Sequence, residues 1–395
     1  VGQHFKNNGY CFQGMGKIFH GGFDDAPSWS VPWQTPRATG TYARPESIAL
    51  TQRATPPEPD GSAKAKPGSK RAKKAAARGP RGPAFEAGEV PDNYYTDGKV
   101  ADLAVATLRE ISRKSEPFFL AVGFVKPHLP FVSPRKYWDL YDPAKIALAP
   151  NKFRPKDAPE YAIQPGGEMR SYHGIPAGSI PDDLARQLKH GYYAAISYTD
   201  AQVGRVLDEL ERLGLRENTI IVLWGDHGWK LGEHDAWCKH SNCENDTNAP
   251  LLLSAPGMKH AGTRTNALVE FVDIYPTLAD LAGLALPAHL EGRSFKPVLE
   301  NPQRAWKPAA FSQYPRSADG KAIMGYSMRT ARHRFTVWVD RHDHTKVNAI
   351  ELYDHQSDPQ ENTNLAQVPA QANLVAQLMT QWRAGWKGAV PPGVK

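Results

Sequence analysis

The tightest constraint on the fold lies in residues 220–242, which read IIVLWGDHGWKLGEHDAWCKHSN. Ile220, Ile221, Val222, Leu223 and Trp224 form an unbroken apolar run, the pattern of a strand buried on both faces rather than an amphipathic one. Gly225 then lets the backbone turn. The next two side chains, Asp226 and His227, are a hard oxygen ligand and an imidazole, placed where the strand ends. In open α/β sheets ligands bind beyond the carboxyl ends of the strands, so this is a position for a metal or an anion. His234, Trp237, Cys238, Lys239, His240 and Cys243 follow closely. Asp and Gly are ordinary turn formers, but a loop this rich in His is not chosen for turn chemistry alone.

The same order of elements occurs earlier. Residues 97–115 place Ala101, Ala104, Val105, Leu108 and Ile111 on one helical face. Pro117 resets the chain, residues 118–124 (FFLAVGF) read as a second buried strand, and its end carries Lys126, Pro127, His128, Leu129 and Pro130. A histidine thus twice sits just beyond a strand. Near the start, residues 10–15 read as a short strand, and Lys17 and His20 follow between glycines that let backbone approach an anion.

Residues 142–181 read as a long crossing loop, and residues 184–213 as a helix, started by Pro181, Asp182 and Asp183 and stopped by Gly214. Its expected buried stripe is Ile196, Val203, Val206, Leu207, Leu210 and Leu213. Residues 250–255 read as another buried strand, and 273–281 as a short helix capped by Asp273. This alternation predicts a mostly parallel sheet covered by helices on both faces. Beyond Gly292 come alternating stretches at 324–330, 334–339 and 349–353 and a last helix at 370–386, a small antiparallel α+β subdomain. The expected division is 1–300 and 301–395.

The net charge of +7 is concentrated in one place. Residues 54–84 hold eight basic and two acidic residues, a surplus of six, in a Pro, Ala, Gly and Lys composition that reads as a disordered insertion. It has no interleaved aromatics, which argues against base stacking and specific nucleic-acid recognition; a tether to polyanions, such as acidic polysaccharide or nucleic acid, is the functional alternative. No apolar run approaches the roughly 18 residues that span a bilayer. Three cysteines make no disulfide framework, although Cys238 and Cys243 are close enough to pair and Cys11 would be left over.

The blocks GYCFQGMGKIFHGG, FFLAVGFVKPHLPF, YYAAISYTDAQVGRVLDELERLGL, TIIVLWGDHGWKLGEHDAWCKHSN, FVDIYPTLADLAG and ELYDHQSDPQENTNL occur in this order. Together they resemble the sulfatases of the alkaline-phosphatase-like superfamily, and among them the iduronate sulfatases. The resemblance covers nearly the whole chain outside the basic insertion. It implies an alkaline-phosphatase-like α/β fold, a sulfated carbohydrate as substrate, and an exported setting that is periplasmic, extracellular or lysosomal.

The resemblance also implies roles for particular residues. Asp226 and His227 would be calcium ligands, Lys17 and Lys239 would hold the sulfate, and His20 would take a proton from the geminal diol left after sulfate transfer. His128 would bind the ester sulfate near its leaving oxygen. Lys126, Trp237 and His240 are the further candidates for lining the substrate pocket, with core packing the alternative for Trp237. The chemistry suits these residue types, because a sulfate ester needs cations on its nonbridging oxygens and a proton donor at the bridge.

The family's nucleophile is a formylglycine made in a Cys/Ser-x-Pro-x-Arg motif that follows an Asp-Asp pair. Neither is recognisable here: Ser30-Val31-Pro32-Trp33-Gln34 has Gln in place of Arg, and Asp24-Asp25 lies after the Gly-Lys-x-x-His block. The expectation is a sulfatase chain without its N-terminal portion, inactive toward sulfate esters by itself and weak in binding calcium. Two other readings stay open. One is a phosphodiesterase or phosphonate hydrolase of the same superfamily holding zinc or manganese, favoured if His234 joined Asp226 and His227; the other is a non-catalytic binder of sulfated glycans.

Overall fold

The computed structural model describes residues 1–391 and 393, apart from 21, 53–80 and 165. Most of the basic insertion therefore lies outside the described residues. The chain divides into two compact units, Val1–Leu148 with Gly167–Glu217, and Ala149–Gly166 with Asn218–Lys395.

The first unit is built on parallel strand pairs. Strand β1 (Cys11–Gly16) runs parallel to β3 (Phe118–Gly123), and β2 (Phe85–Gly88) runs parallel to β4 (Phe131–Pro134). Parallel neighbours need a crossover, and the helix Thr96–Ile111 leads into β3. Its Val100 and Ala104 pack on Met15 of β1, with Leu120 and Val122 of β3 alongside. The β1–β3 register ends on a pair of glycines, Gly16 opposite Gly123. Gly16 has φ +73°, and a Cβ on it would stand 2.0 Å from the Gly123 carbonyl oxygen. A Cβ on Gly123 would stand 2.1 Å from the Lys17 carbonyl oxygen. Only two glycines allow this approach, and it lets the Lys17 amide donate to the Gly123 carbonyl at 2.8 Å.

The long helix runs Asp182–Arg212, with Asp182 and Asp183 in its first turn and Gly214 beyond its end at φ +68°. Its buried stripe keeps Leu210 and the partly buried Val206 of the expected one and otherwise differs. Leu188, Ala194, Ala195, Tyr198 and Gln202 face inward, while Ile196 and Leu207 are exposed. The inward face is small because its bulky partners come from elsewhere: a Cβ on Gly191 would meet Trp138, Phe131 and Phe85 at 2.9–3.1 Å. Tyr198 accepts from the Gly98 amide at 2.7 Å and donates to the Asp92 carbonyl at 2.9 Å, tying this helix to the start of Thr96–Ile111.

In the second unit β5 (Ile221–Trp224) pairs antiparallel with β8 (Leu251–Ser254), and β6 (Lys230–Leu231) with β7 (Trp237–Cys238). Burial on both faces is not what β5 and β8 have: Leu223, Trp224 and Leu252 are exposed. Apolar content alone does not decide how many faces of a strand are covered. The helix Phe271–Leu281 starts one turn differently from expectation. Glu270 is its N-cap, and the Asp273 carboxylate accepts in return from the Glu270 amide at 2.8 Å in a reciprocal capping box.

Strands β9 (Ala309–Ala318), β10 (Lys321–Thr330), β11 (His333–Asp340) and β12 (Val347–Asp354) form an antiparallel sheet in the order β12-β11-β10-β9. Its face packs Met328, Phe335, Val337 and Leu352 against Leu378 of the helix Ala372–Ala384. Sequence periodicity missed β9, whose Pro315 fits an edge strand, where the missing donor breaks no ladder.

Beside this sheet Arg334, 2% exposed, donates to Glu361 and Glu244. Burial pushes the Glu361 carboxyl up, but Arg334 and a hydrogen bond from His355 outweigh it and bring it to about 2. This depressed carboxylate contributes stability that is fully present above the ordinary glutamate range and is lost as pH falls toward 2. Replacing Arg334 with Met leaves Glu361 buried without its guanidinium, so unfolding in urea should show a loss of about 3–5 kcal/mol at neutral pH. The acid-unfolding midpoint should move upward.

Candidate functional site

In the first unit the candidate residues leave the carboxyl ends of the parallel strands β1 and β3. Lys17 follows Gly16 directly and His20 lies three residues on, both exposed. The 125–130 loop leaves β3 under the control of Asp97, 1% exposed, whose carboxylate accepts from the amides of Val125 at 2.9 Å and Lys126 at 2.8 Å. Lys126 turns back on its own loop and donates to the carbonyls of His128 at 2.8 Å and Pro130 at 2.6 Å. Burial lowers its pKa to about 8, with Asp97 opposing the shift. Lys126 thus braces the loop. The ring it holds up is His128, whose Nδ1 stands 2.9 Å from the Leu129 carbonyl oxygen and whose Nε2 stands 3.2 Å from Glu168 Oε1. Two oxygens, one at each nitrogen, fix the ring plane.

In the second unit Asp226 and His227 stand immediately beyond β5, as the sequence predicts. The loop that follows is held from inside. Lys230 and Asp246, with side chains 2% and 4% exposed, form an ion pair at 2.7 Å. Ser241 accepts from Lys230 Nζ at 2.7 Å and donates to Asp246 Oδ2 at 2.6 Å. The Gly228 amide donates to the Asp246 carbonyl at 2.9 Å, an approach open to glycine because a Cβ there would meet the Asn245 oxygen at 1.9 Å. His234, Asp235, Cys238 and His240 all adopt positive φ, between 53° and 95°. That backbone region is costly for residues other than Gly and marks sites where the surroundings over-determine the chain.

Trp229 organises the outer side of this loop. His227 stacks on its ring at 6.0 Å and 28°, and Lys239 Nζ lies over the same ring at 4.9 Å. His240 packs beside Tyr314 at 5.8 Å, and its carbonyl accepts from Arg316. Trp237 is 3% exposed and lies inside the fold. His234 is 1% exposed, and burial and then Lys230 lower its pKa. Cys11, Cys238 and Cys243 are all buried thiols, so the pairing that the spacing of Cys238 and Cys243 allows is not made.

His227 Nδ1 stands 2.8 Å from the Gly228 carbonyl oxygen, which only accepts, so the proton belongs on Nδ1. The Nε2 lone pair is then directed away from it, and Asp226 Oδ1 lies 3.6 Å from Nε2. Two ligands each about 2.3–2.5 Å from one hard cation, at right angles, stand about 3.3–3.5 Å apart. Asp226 and His227 therefore fit a divalent ion as two of its ligands. Among the described residues the group of three ligand-type side chains is Glu244, His355 and Glu361, which already encloses Arg334. His234 joins neither set.

Residues 3–284 match the sulfatase family, and residues 232–385 match the C-terminal family of N-sulphoglucosamine sulphohydrolase. The chain belongs to the sulfatase family. It is 32% identical to iduronate 2-sulfatase of Homo sapiens, over 96% of this chain and 78% of that protein. Among solved structures, the phosphonate monoester hydrolase of Agrobacterium radiobacter matches with a TM-score of 0.66 and 21% identity, over 98% of this chain and 80% of that one. BT4656, solved with its substrate D-glucosamine-2-N,6-O-disulfate, matches with a TM-score of 0.62 and 23% identity, over 75% and 70%. Both share the fold of this sulfatase. Among the described residues no helix is long and apolar enough to cross a membrane.

Glu168 and Trp229 are the site neighbours that sequence reasoning did not single out. Glu168 lies in a loop forty residues from His128 with no motif around it, whereas Trp229 stands two residues after His227 and was legible as an aromatic between two candidate groups. In this sulfatase Trp229→Ala should weaken inhibition by inorganic sulfate about tenfold, the size of a half-desolvated cation–π contact, with Trp229→Phe within about threefold of the parent. Glu168→Ala should lower kcat/KM about tenfold at unchanged melting temperature, while Glu168→Gln, which keeps an oxygen toward His128 Nε2, loses less.

Proposed function

We propose that this sulfatase hydrolyses sulfate esters of sulfated carbohydrate in the manner of iduronate sulfatases, with calcium as its metal. The observation that carries the reading is the shared Trp229 ring, which sets the Lys239 ammonium and the His227 imidazole on one platform. A platform of that kind suits an anion with several equivalent oxygens. The relatives support the substrate class: one is named for iduronate 2-sulfate, and one was solved with a sulfated glucosamine.

Asp226 and His227 would hold the metal, and calcium suits the hard carboxylate oxygen better than the imidazole. When bound, the ion neutralises charge on the sulfate oxygens and so favours attack at sulfur. Lys17 and Lys239 bind nonbridging oxygens. His128, kept in plane by Leu129 and Glu168, would bind the ester sulfate near its leaving oxygen. His20, exposed three residues after Lys17, is the base. The formylglycine nucleophile that the resemblance implies belongs to the same reading. No Cys/Ser-x-Pro-x-Arg sequence occurs in residues 1–395, so no step is derived through it. Residues 1–300 would form the catalytic domain and 301–395 the C-terminal subdomain, in a protein that works in an exported compartment.

Elemental analysis of the purified native protein, together with sulfate release from 2-O-sulfated uronate disaccharides, tests the reading. The expected result is calcium at about one equivalent, a melting temperature lowered by chelator and restored by calcium, and loss of that response in Asp226→Asn. Zinc or manganese with turnover of a phosphonate monoester would overturn it in favour of the phosphonate hydrolase chemistry. A hydrazide reagent that labels an aldehyde in the native protein checks the nucleophile.

A further inference from the structure

The first unit contains a cleft of about 430 Å³ that no catalytic candidate lines. This is within the range of about 300–1,000 Å³ of sites that hold small ligands. Its wall includes Thr39, Thr41, Arg81, Tyr94, Pro130 and Tyr172. Two segments connect it to His128. Pro130 lies two residues beyond His128 on the loop braced by Lys126, and Tyr172 lies four residues beyond Glu168, which holds the His128 ring.

The wall is built rather than incidental. The Tyr94 hydroxyl donates to the Tyr42 carbonyl at 3.0 Å, and the Thr39 amide donates to the Tyr94 carbonyl at 2.8 Å. The Tyr42 hydroxyl in turn donates to the Pro83 carbonyl at 2.8 Å, and the His173 amide donates to the Gly82 carbonyl at 3.1 Å. A Cβ on Gly82 would stand 2.6 Å from the Tyr42 ring, so glycine is what lets the Arg81 backbone lie against it. The Arg81 guanidinium is stacked over the Tyr172 ring at 4.9 Å. Among the described residues it has no carboxylate partner and makes no side-chain hydrogen bond, and the same holds for the hydroxyls of Thr39 and Thr41. A guanidinium held on an aromatic face with its N–H edge left open is a recognition element for sulfate or carboxylate groups. Two open hydroxyls and aromatic surface beside it match the alternating polar and apolar faces of a sugar ring.

We propose that this cleft is a second sugar-binding site, taking an anionic residue of the same glycan chain whose sulfate ester is presented at His128. The proposal rests on the sulfated-carbohydrate reading above. Arg81, held on the Tyr172 ring, contacts the sulfate or carboxylate of the distal sugar, Thr39 and Thr41 contact its hydroxyls, and Tyr94 buries its apolar face. A longer substrate then binds more tightly than a monosaccharide without any change at the catalytic residues.

Isothermal titration of the full chain at about 0.15 M salt, with a heparin-derived tetrasaccharide and with a sulfated monosaccharide, tests this. Arg81→Ala should weaken the tetrasaccharide about tenfold, as expected for one charge-assisted contact, and leave the monosaccharide unchanged. Arg81→Lys should fall between, and Thr41→Val should weaken the tetrasaccharide about threefold. Lys74→Ala, which removes one charge from the same basic segment, should have no effect. The proposal is overturned if Arg81→Ala leaves the tetrasaccharide unchanged, if it weakens both ligands equally, or if Lys74→Ala weakens the tetrasaccharide as much. Absence of sulfate release from any sulfated sugar, with the Arg81 effect intact, would remove the hydrolytic reading and leave the cleft as a glycan site.

Discussion

A buried ammonium paired with a buried carboxylate holds the loop on which the second unit's chemistry depends. Lys230 and Asp246 are almost without exposure, and the desolvation cost of each is offset only because they meet at 2.7 Å with Ser241 between them. Removing either partner of such a pair costs about 3–5 kcal/mol, since the other charge is left in the interior. That penalty turns the pair into a clamp. Residues 228, 230, 241 and 246 become fixed points, and the side chains between and before them, Asp226, His227 and Lys239, are carried on short spans of backbone. The run of positive φ from His234 to His240 is what a chain adopts when its end points are set this way.

The first unit solves the same problem with backbone rather than charge. Gly16 and Gly123 let β1 and β3 close up at their ends, so the two loops leave from adjacent points. Asp97 then takes two amides of the second loop. Burial pushes the Asp97 carboxyl up, and the amides of Val125 and Lys126 pull against that. Lys126 closes the loop onto its own carbonyls. A lysine beside a histidine in a motif invites a substrate role for both, yet here one supports the other.

Position along the chain was legible where it follows from the ends of strands. The runs at 10–15 and 118–124 became β1 and β3, and Asp226 and His227 stand beyond β5 because an apolar run stopped at Gly225. What a side chain meets was less legible. The inward face of the helix Asp182–Arg212 is lined by Ala194, Ala195 and Gly191 because Trp138, Phe131 and Phe85 supply the volume, and an apolar count taken on the helix alone selects Ile196 and Leu207 instead. Asp273 read as a cap by its type, but the cap is Glu270, three residues earlier. Glu168 had no local signal, since its partner is forty residues away in the chain and no motif surrounds it.

The contrast between two clusters of ligand-type side chains separates structure from chemistry. Glu244, His355 and Glu361 lie close enough together to hold a cation, and they hold one already: Arg334 reaches both carboxylates, and Arg329 adds a second guanidinium to Glu244 at 3.1 Å. Two carboxylates facing two guanidinium groups are neutral, so a divalent ion would have to displace a buried Arg whose own desolvation is then uncompensated. At Asp226 and His227 the balance runs the other way. With the Nδ1 proton on the Gly228 carbonyl, the neutral ring turns a lone pair at Nε2 toward Asp226 Oδ1, 3.6 Å away. Asp226 Oδ1 and His227 Nε2 thus stand close together outside the clamp, an arrangement that a cation between them would stabilise.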